Sequence, residues 1–146
     1  MFKRDSKKEL IKAFDFRKRY DVFLACAFEP QEIFYSKRDL CETYNFYEQI
    51  GEIIKKFKKR PYLPHKEINL NWDSNTISNI LNDVIIPNSD IVISYLEIKS
   101  ESVENILASA KKKRISIYSL IESEDKNKLL SDLELYLRNF YEQESL

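Results

Sequence analysis

A nine-residue run, YDVFLACAF (Tyr20–Phe28), is apolar almost throughout, and DIVISYL (Asp90–Leu96) repeats the pattern. A strand with one wet face alternates apolar and polar residues; these runs do not, so each is expected to be buried on both faces. That condition is met in a parallel sheet covered by helices on either side. The rest of the chain supplies the cover. Leu40, Tyr44, Tyr47, Ile50, Ile54 and Phe57 recur at steps of three and four, which predicts a helix over about 39–59, closed by the cations of KKFKKR and by Pro61. A short strand, PYL, follows. Ile77, Ile80, Leu81, Val84 and Ile85 make a second stripe. ISIYSLI (Ile115–Ile121) reads as a fourth strand, and Leu130, Leu133, Leu137 and Phe140 place a last helix over about 125–143. The stretch EPQEIFYSKRD has no period and reads as a loop.

The order of strand and helix predicts an α/β fold: a flavodoxin- or Rossmann-like three-layer sandwich with a parallel sheet of four to five strands. Residues 1–19 form a separate basic arm, and 20–146 the domain. Ligands of such sheets bind beyond the carboxyl ends of the strands, here residues 26–38, 63–75, 96–104 and about 119–124. Glycine narrows the choice of ligand chemistry. The chain has one, Gly51, inside the first long helix, so no Walker loop or dinucleotide fingerprint is present. Lys plus Arg and Asp plus Glu number 24 each, which argues against a nucleic-acid partner. No apolar run reaches the length of a membrane span, and MFKRDSKKEL opens no signal peptide, so a cytoplasmic protein is expected. Cys26 and Cys41 are expected to be free and buried, with no metal-ligand spacing and no cofactor motif.

VFLACAF, then YEQIGEIIKKFKKRPYLPHKEI, then NSDIVISYL together resemble the nucleoside 2-deoxyribosyltransferase-like family over roughly residues 20–121. The resemblance implies a flavodoxin-like sheet and, in active members, cleavage of the N-glycosidic bond of a nucleoside or nucleotide. A glutamate opening the third helix acts there as nucleophile, and nearby carboxylates contact the base. Carried over by position, the first-strand motif is Phe23, Leu24, Ala25, Cys26, Ala27, where active members have Gly-Pro in place of Cys26-Ala27. A family aspartate falls on Asn82, with Asp83 beside it, and the strand aspartate is Asp90. An ungapped alignment through YLEIKSESVENILASA puts Ile106 on the nucleophile and Glu104 on a glycine.

Helix geometry separates the two assignments. Val103, Ile106, Leu107 and Ala110 form one stripe, and Glu104 lies about 200° around from Ile106. Making Glu104 the nucleophile requires a two-residue slip, in which Glu104, Ala108 and Lys113 also match the family spacing. That slip would turn Val103 and Ile106 out of the core, forfeiting roughly 1.5–3 kcal/mol each. The reading is therefore a degenerate relative that senses a nucleoside or nucleotide, or binds a partner. The alternative is an active N-glycosidase using Glu104 with Asp83 or Asp90. NAD stays among the ligands because YDVFLACAF also resembles the first strand of TIR domains, a likeness that equally allows a TIR-like interaction module. Further ligand-contact candidates are Phe23, Ala25, Cys26, His65, Trp72, Asn82 and Ser100. Tyr44, Tyr47, Tyr136, Phe140 and Tyr141 exceed what a four-stranded core needs and point to a homo-oligomer or a related subunit.

Overall fold

The computed structural model describes residues 20–27, 30–67, 79, 81–95, 101–120 and 125–144, apart from a few side chains among them. Four strands, β1 (Val22–Ala25), β2 (Pro61–Tyr62), β3 (Ile91–Tyr95) and β4 (Ser116–Leu120), form one parallel sheet in the order β2-β1-β3-β4. This is the α/β, flavodoxin- or Rossmann-like architecture that the apolar runs require. Register places Phe23 beside Val92, Leu24 beside Ile93 and Ala25 beside Ser94. The order in which strands are added reverses between β1 and β3, the boundary where such sheets open a crevice.

Alternate residues of the strands fill two cores. Val22, Leu24, Ile91 and Ile93 pack with Phe46, Ile50 and Ile54 of α2 (Leu40–Lys55) and with Leu129, Leu133 and Leu137 of α5 (Lys126–Glu144). Phe23, Ala25 and Val92 pack on the other face with Leu81, Ile85 and Ile86 and with Val103, Ile106 and Ala110 of α4 (Glu101–Lys112). Segment 81–88 is one wide turn, Leu81–Ile85, followed by one tight turn, Ile86–Asn88. No helix among the described residues is long and apolar enough to cross a membrane.

Three local outcomes differ from the sequence reading, the first being Cys41, which is free as expected but exposed rather than buried. EPQEIFYSKRD contains a helix, α1 (Pro30–Tyr35), started by a proline whose missing N–H costs nothing at a first helical position. Only Ile33 of α1 is buried, so it produces no stripe. Tyr47 is a core residue rather than an interface residue: it is fully buried, and its hydroxyl donates to the carbonyl of Ala27 at 2.7 Å. Gly51 also has a packing reason. A methyl at its Cα would come within 2.8 Å of Leu63 Cδ1, so the glycine lets α2 lie against the end of β2.

Scarcity of glycine has a visible cost at helix ends. Lys37, Lys58 and Arg114 take left-handed backbone angles, with φ of 58°, 59° and 60°. Each follows a helix. The Arg38 N–H reaches the Ile33 carbonyl and the Ile115 N–H that of Ala110, closing α1 and α4 as glycine-type caps without glycine. A side chain in this conformation costs about 1–2 kcal/mol. Lys58→Gly and Arg114→Gly should therefore each raise stability by about 0.5–1 kcal/mol in urea denaturation. Unchanged or lower stability in both would show that these turns carry no such strain.

Candidate functional site

The carboxyl ends of β1 and β3 are built differently on the two faces of the sheet. On the α4 side, Ala25 and Ser94 are neighbouring small residues at the strand ends. Ser94 is completely buried, and its Oγ has no hydrogen-bond partner among the described residues. Buried hydroxyls almost always find a partner, so this one stands out. The α4 helix closes over it by inserting Val103, Ile106 and Ala110, with Ile106 only 8% exposed. Glu104, between these, points outward and is exposed.

On the α2 side, Cys26 extends β1 into a pocket of aromatic rings. Burial pushes its thiol well above the ordinary range, against the opposing pull of the Tyr47 hydroxyl. The Cys26 thiol is thus protonated and a poor nucleophile. Burial raises the hydroxyl of Tyr44, with the neighbouring Cys26 a smaller contribution in the same direction. His65, in the turn α3 (Pro64–Glu67) after β2, stacks on Tyr44 at 4.8 Å between ring centroids and tilts against Tyr47 at 5.7 Å. Its side chain is 5% exposed, and neither ring nitrogen has a hydrogen-bond partner among the described residues. Glu48 Oε1 stands 3.6 Å from Nε2, just beyond hydrogen-bond reach, and is itself held by the Lys66 ammonium at 2.8 Å. That hydrogen bond to Lys66 keeps Glu48 below its usual range.

The remaining candidates separate. Phe23 lies inside the core, stacked on Tyr62 at 4.9 Å. Asp83 is exposed on the wide turn, and the side chain of Asn82 beside it lies outside the described residues, as do Trp72, Ser100 and the basic arm 1–19. Asp90 occupies the amino end of β3: its N–H donates to the Asp21 carbonyl, and its Oδ2 accepts from the Tyr141 hydroxyl at 3.3 Å. Glu104 belongs to the helix that follows the carboxyl end of that strand. Five strand residues, roughly 16 Å, lie between the edges to which the two belong, so the structure does not bring Asp90 and Glu104 together.

Two features escape a reading from sequence alone. Ser94 sits in the middle of an apolar run, where its single hydroxyl looks incidental; the signal is the polar atom inside a strand buried on both faces. The second is a cavity of about 90 Å³ lined by Arg38, Asp39, Glu42, Thr43, Phe46, Tyr95 and Lys126. There Lys126 donates to the Tyr95 hydroxyl and rides over the rings of Phe46 and Tyr95 at 4.8 and 5.1 Å. Among the described residues, no three of His, Cys, Asp and Glu converge to hold a metal ion.

With this geometry in view, the class is an α/β domain that buries a serine on one face of its sheet, and a cysteine and a histidine side chain on the other, towards the carboxyl ends of its strands. No protein-family model matches the chain, and neither a curated protein nor a solved structure does.

Burial holds His65 below the ordinary histidine range, outweighing the opposing charge of Glu48. The folded state then binds a proton more weakly than the unfolded chain, so stability is full above the ordinary histidine range and falls as pH drops through it. His65→Phe keeps the ring stack and removes the titration. Between about pH 7.5 and pH 5.5 the urea midpoint should drop more in wild type than in His65→Phe. Equal drops in the two proteins would refute the buried neutral imidazole.

Proposed function

We propose that this chain is a degenerate relative of the nucleoside 2-deoxyribosyltransferases. It would hold a nucleoside, nucleotide or NAD-like molecule at the strand-end crevice, as a sensing or partner-binding subunit, without cleaving it. One observation carries the reading. Ile106, which the resemblance puts at the nucleophile position, is packed into the core with Val103 and Ala110, while Glu104 is exposed. A glycosidase of this kind needs its carboxylate against the anomeric carbon, and an isoleucine offers neither charge nor lone pair. Cys26 does not replace it, since its thiol is held protonated. Retention of binding draws support from Ser94, a polar side chain at the β1/β3 boundary whose hydroxyl has no partner among the described residues.

Wild type, Glu104→Gln and Ser94→Ala should be incubated with deoxynucleosides, deoxynucleotides and NAD, and both free base and the ligand-induced change in Tm measured. Neither wild type nor Glu104→Gln should release base. A bound nucleoside or nucleotide should raise the Tm of wild type and Glu104→Gln alike. Ser94→Ala should be as stable as wild type or up to about 1–2 kcal/mol more stable without ligand, because it removes an unsatisfied buried hydroxyl, and should lose the ligand-induced rise. Base or nicotinamide released by wild type but not by Glu104→Gln would overturn the reading and make Glu104 the nucleophile of a live enzyme.

A further inference from the structure

We infer that the edge of the domain at the amino ends of its strands docks the phosphate backbone of a nucleic acid, without reading its sequence. This edge lies opposite the candidate ligand site, and its role does not depend on what that site binds. Charge totals alone argue against such a partner, since Lys plus Arg equals Asp plus Glu over the chain. Placement changes the balance. A parallel sheet sets the amino ends of all its strands on one edge, and the helices that cross back between strands finish there. Two of those helix ends are basic: KKFKKR follows α2, and KKKR closes α4.

Hydrogen bonds fix both ends on that edge. The N–H groups of Asp21 and Val22 donate to the Arg60 carbonyl, and the Arg60 N–H donates to the Asp21 carboxylate at 2.8 Å. The Ile115 N–H, just ahead of β4, donates to the Ala110 carbonyl of α4. Because α2 packs on one face of the sheet and α4 on the other, cations flank the edge on both sides. Lys58, Lys111, Lys112 and Arg114 are exposed, and none of them forms an ion pair among the described residues. Lys59 and Arg60 lie over the rings of Tyr141 and Tyr20, at 4.5 and 4.7 Å, and keep their charge. The strand-start acids are already acceptors, Asp21 from Arg60 and Asp90 from the Tyr141 hydroxyl; Glu142, beside Tyr141, is exposed. A helix end accounts for about half a charge, so two ends leave most of these cations for a partner. The chain also enters the domain here, at Tyr20, and the nineteen residues ahead of it hold eight cations against three acids.

Apolar exposure decides between a nucleic acid and an anionic membrane. A face that lies in a membrane interface pairs its cations with exposed apolar side chains, whereas a phosphate backbone asks only for charge. The large hydrophobic residues exposed among the described residues are Phe34, Tyr35, Leu40 and Leu135. The first three belong to α1 and the start of α2, by the carboxyl ends of the strands, and Leu135 lies midway along α5. The basic edge therefore offers charge without an apolar anchor. Its nearest rings, Tyr20 and Tyr141, are buried and half-buried, so neither is presented for stacking on bases. Contacts to phosphate alone position a duplex and carry no sequence information.

Fluorescence anisotropy of labelled DNA duplexes of about 20 base pairs, titrated with the full chain between about 50 and 200 mM salt, tests this edge. Wild type should bind two unrelated sequences alike, with affinity falling linearly in log salt. Lys58→Gln/Lys59→Gln and Lys111→Gln/Lys112→Gln should each reduce the salt slope by about 1.8 and weaken binding at least about tenfold at the lowest salt. Lys37→Gln/Lys128→Gln removes the same charge from exposed positions at the carboxyl edge and should change neither quantity. Circular dichroism checks that each variant is folded. Vesicles of phosphatidylserine and phosphatidylcholine should not carry the chain down in co-sedimentation. No binding of DNA by wild type at the lowest salt, an equal loss in Lys37→Gln/Lys128→Gln, or binding to vesicles without binding to DNA would overturn the proposal.

Discussion

Everything at the candidate site depends on how α4 seats itself on the sheet. Val103, Ile106 and Ala110 fill the groove formed by Phe23, Ala25 and Val92, and that contact sets the rotation of the helix about its axis. Rotation in turn decides which first-turn side chain looks into the crevice. With an isoleucine locked inward, the adjacent carboxylate has to look out. The same insertion covers Ser94 and leaves its hydroxyl in an apolar enclosure. One packing choice thus sets an isoleucine where a nucleophile would stand and leaves one unpartnered polar atom beneath the helix.

The second organising constraint is the near-absence of glycine. Helices must end, and the left-handed residue that ends them is usually glycine. Here lysine and arginine take that conformation at Lys37, Lys58 and Arg114. Their long polar stems stay in solvent, and after α2 and α4 their charges suit the negative pole of the helix. The single glycine is spent on a close approach between α2 and Leu63 rather than on a ligand loop. Recognition at the strand ends therefore falls to side chains: Ser94, and the Cys26, Tyr44 and His65 group on the opposite side.

Much of the architecture was legible in the sequence because burial on both faces leaves a strong mark. The four strands, the α2 and α5 stripes and the inward set on α4 all follow from the spacing of apolar residues. Features with a weak periodic mark were not legible. A six-residue helix with one buried side chain, Ile33, has no stripe to detect. Tyr47 resembled interface material because the aromatics exceed what a four-stranded core needs, and the partner that lets its hydroxyl be buried, the Ala27 carbonyl, is twenty residues away in sequence. Asp90 looked like a base-contacting residue by resemblance, yet a residue that opens a parallel strand belongs to the edge opposite its carboxyl end. That Cys26 and His65 share the neighbouring rings of Tyr44 and Tyr47 required knowing that β2 lies beside β1, which no local pattern states.

The central claim is the rotation of α4, and the most direct measurement compares two substitutions two residues apart. Urea denaturation of Ile106→Ala should show a loss of about 2–5 kcal/mol, the cost of emptying a core position. Glu104→Ala, on the exposed face, should change stability by no more than about 0.5 kcal/mol. The reverse pattern, a tolerant Ile106 and a sensitive Glu104, would mean that the helix is turned by two residues and that its carboxylate faces the crevice.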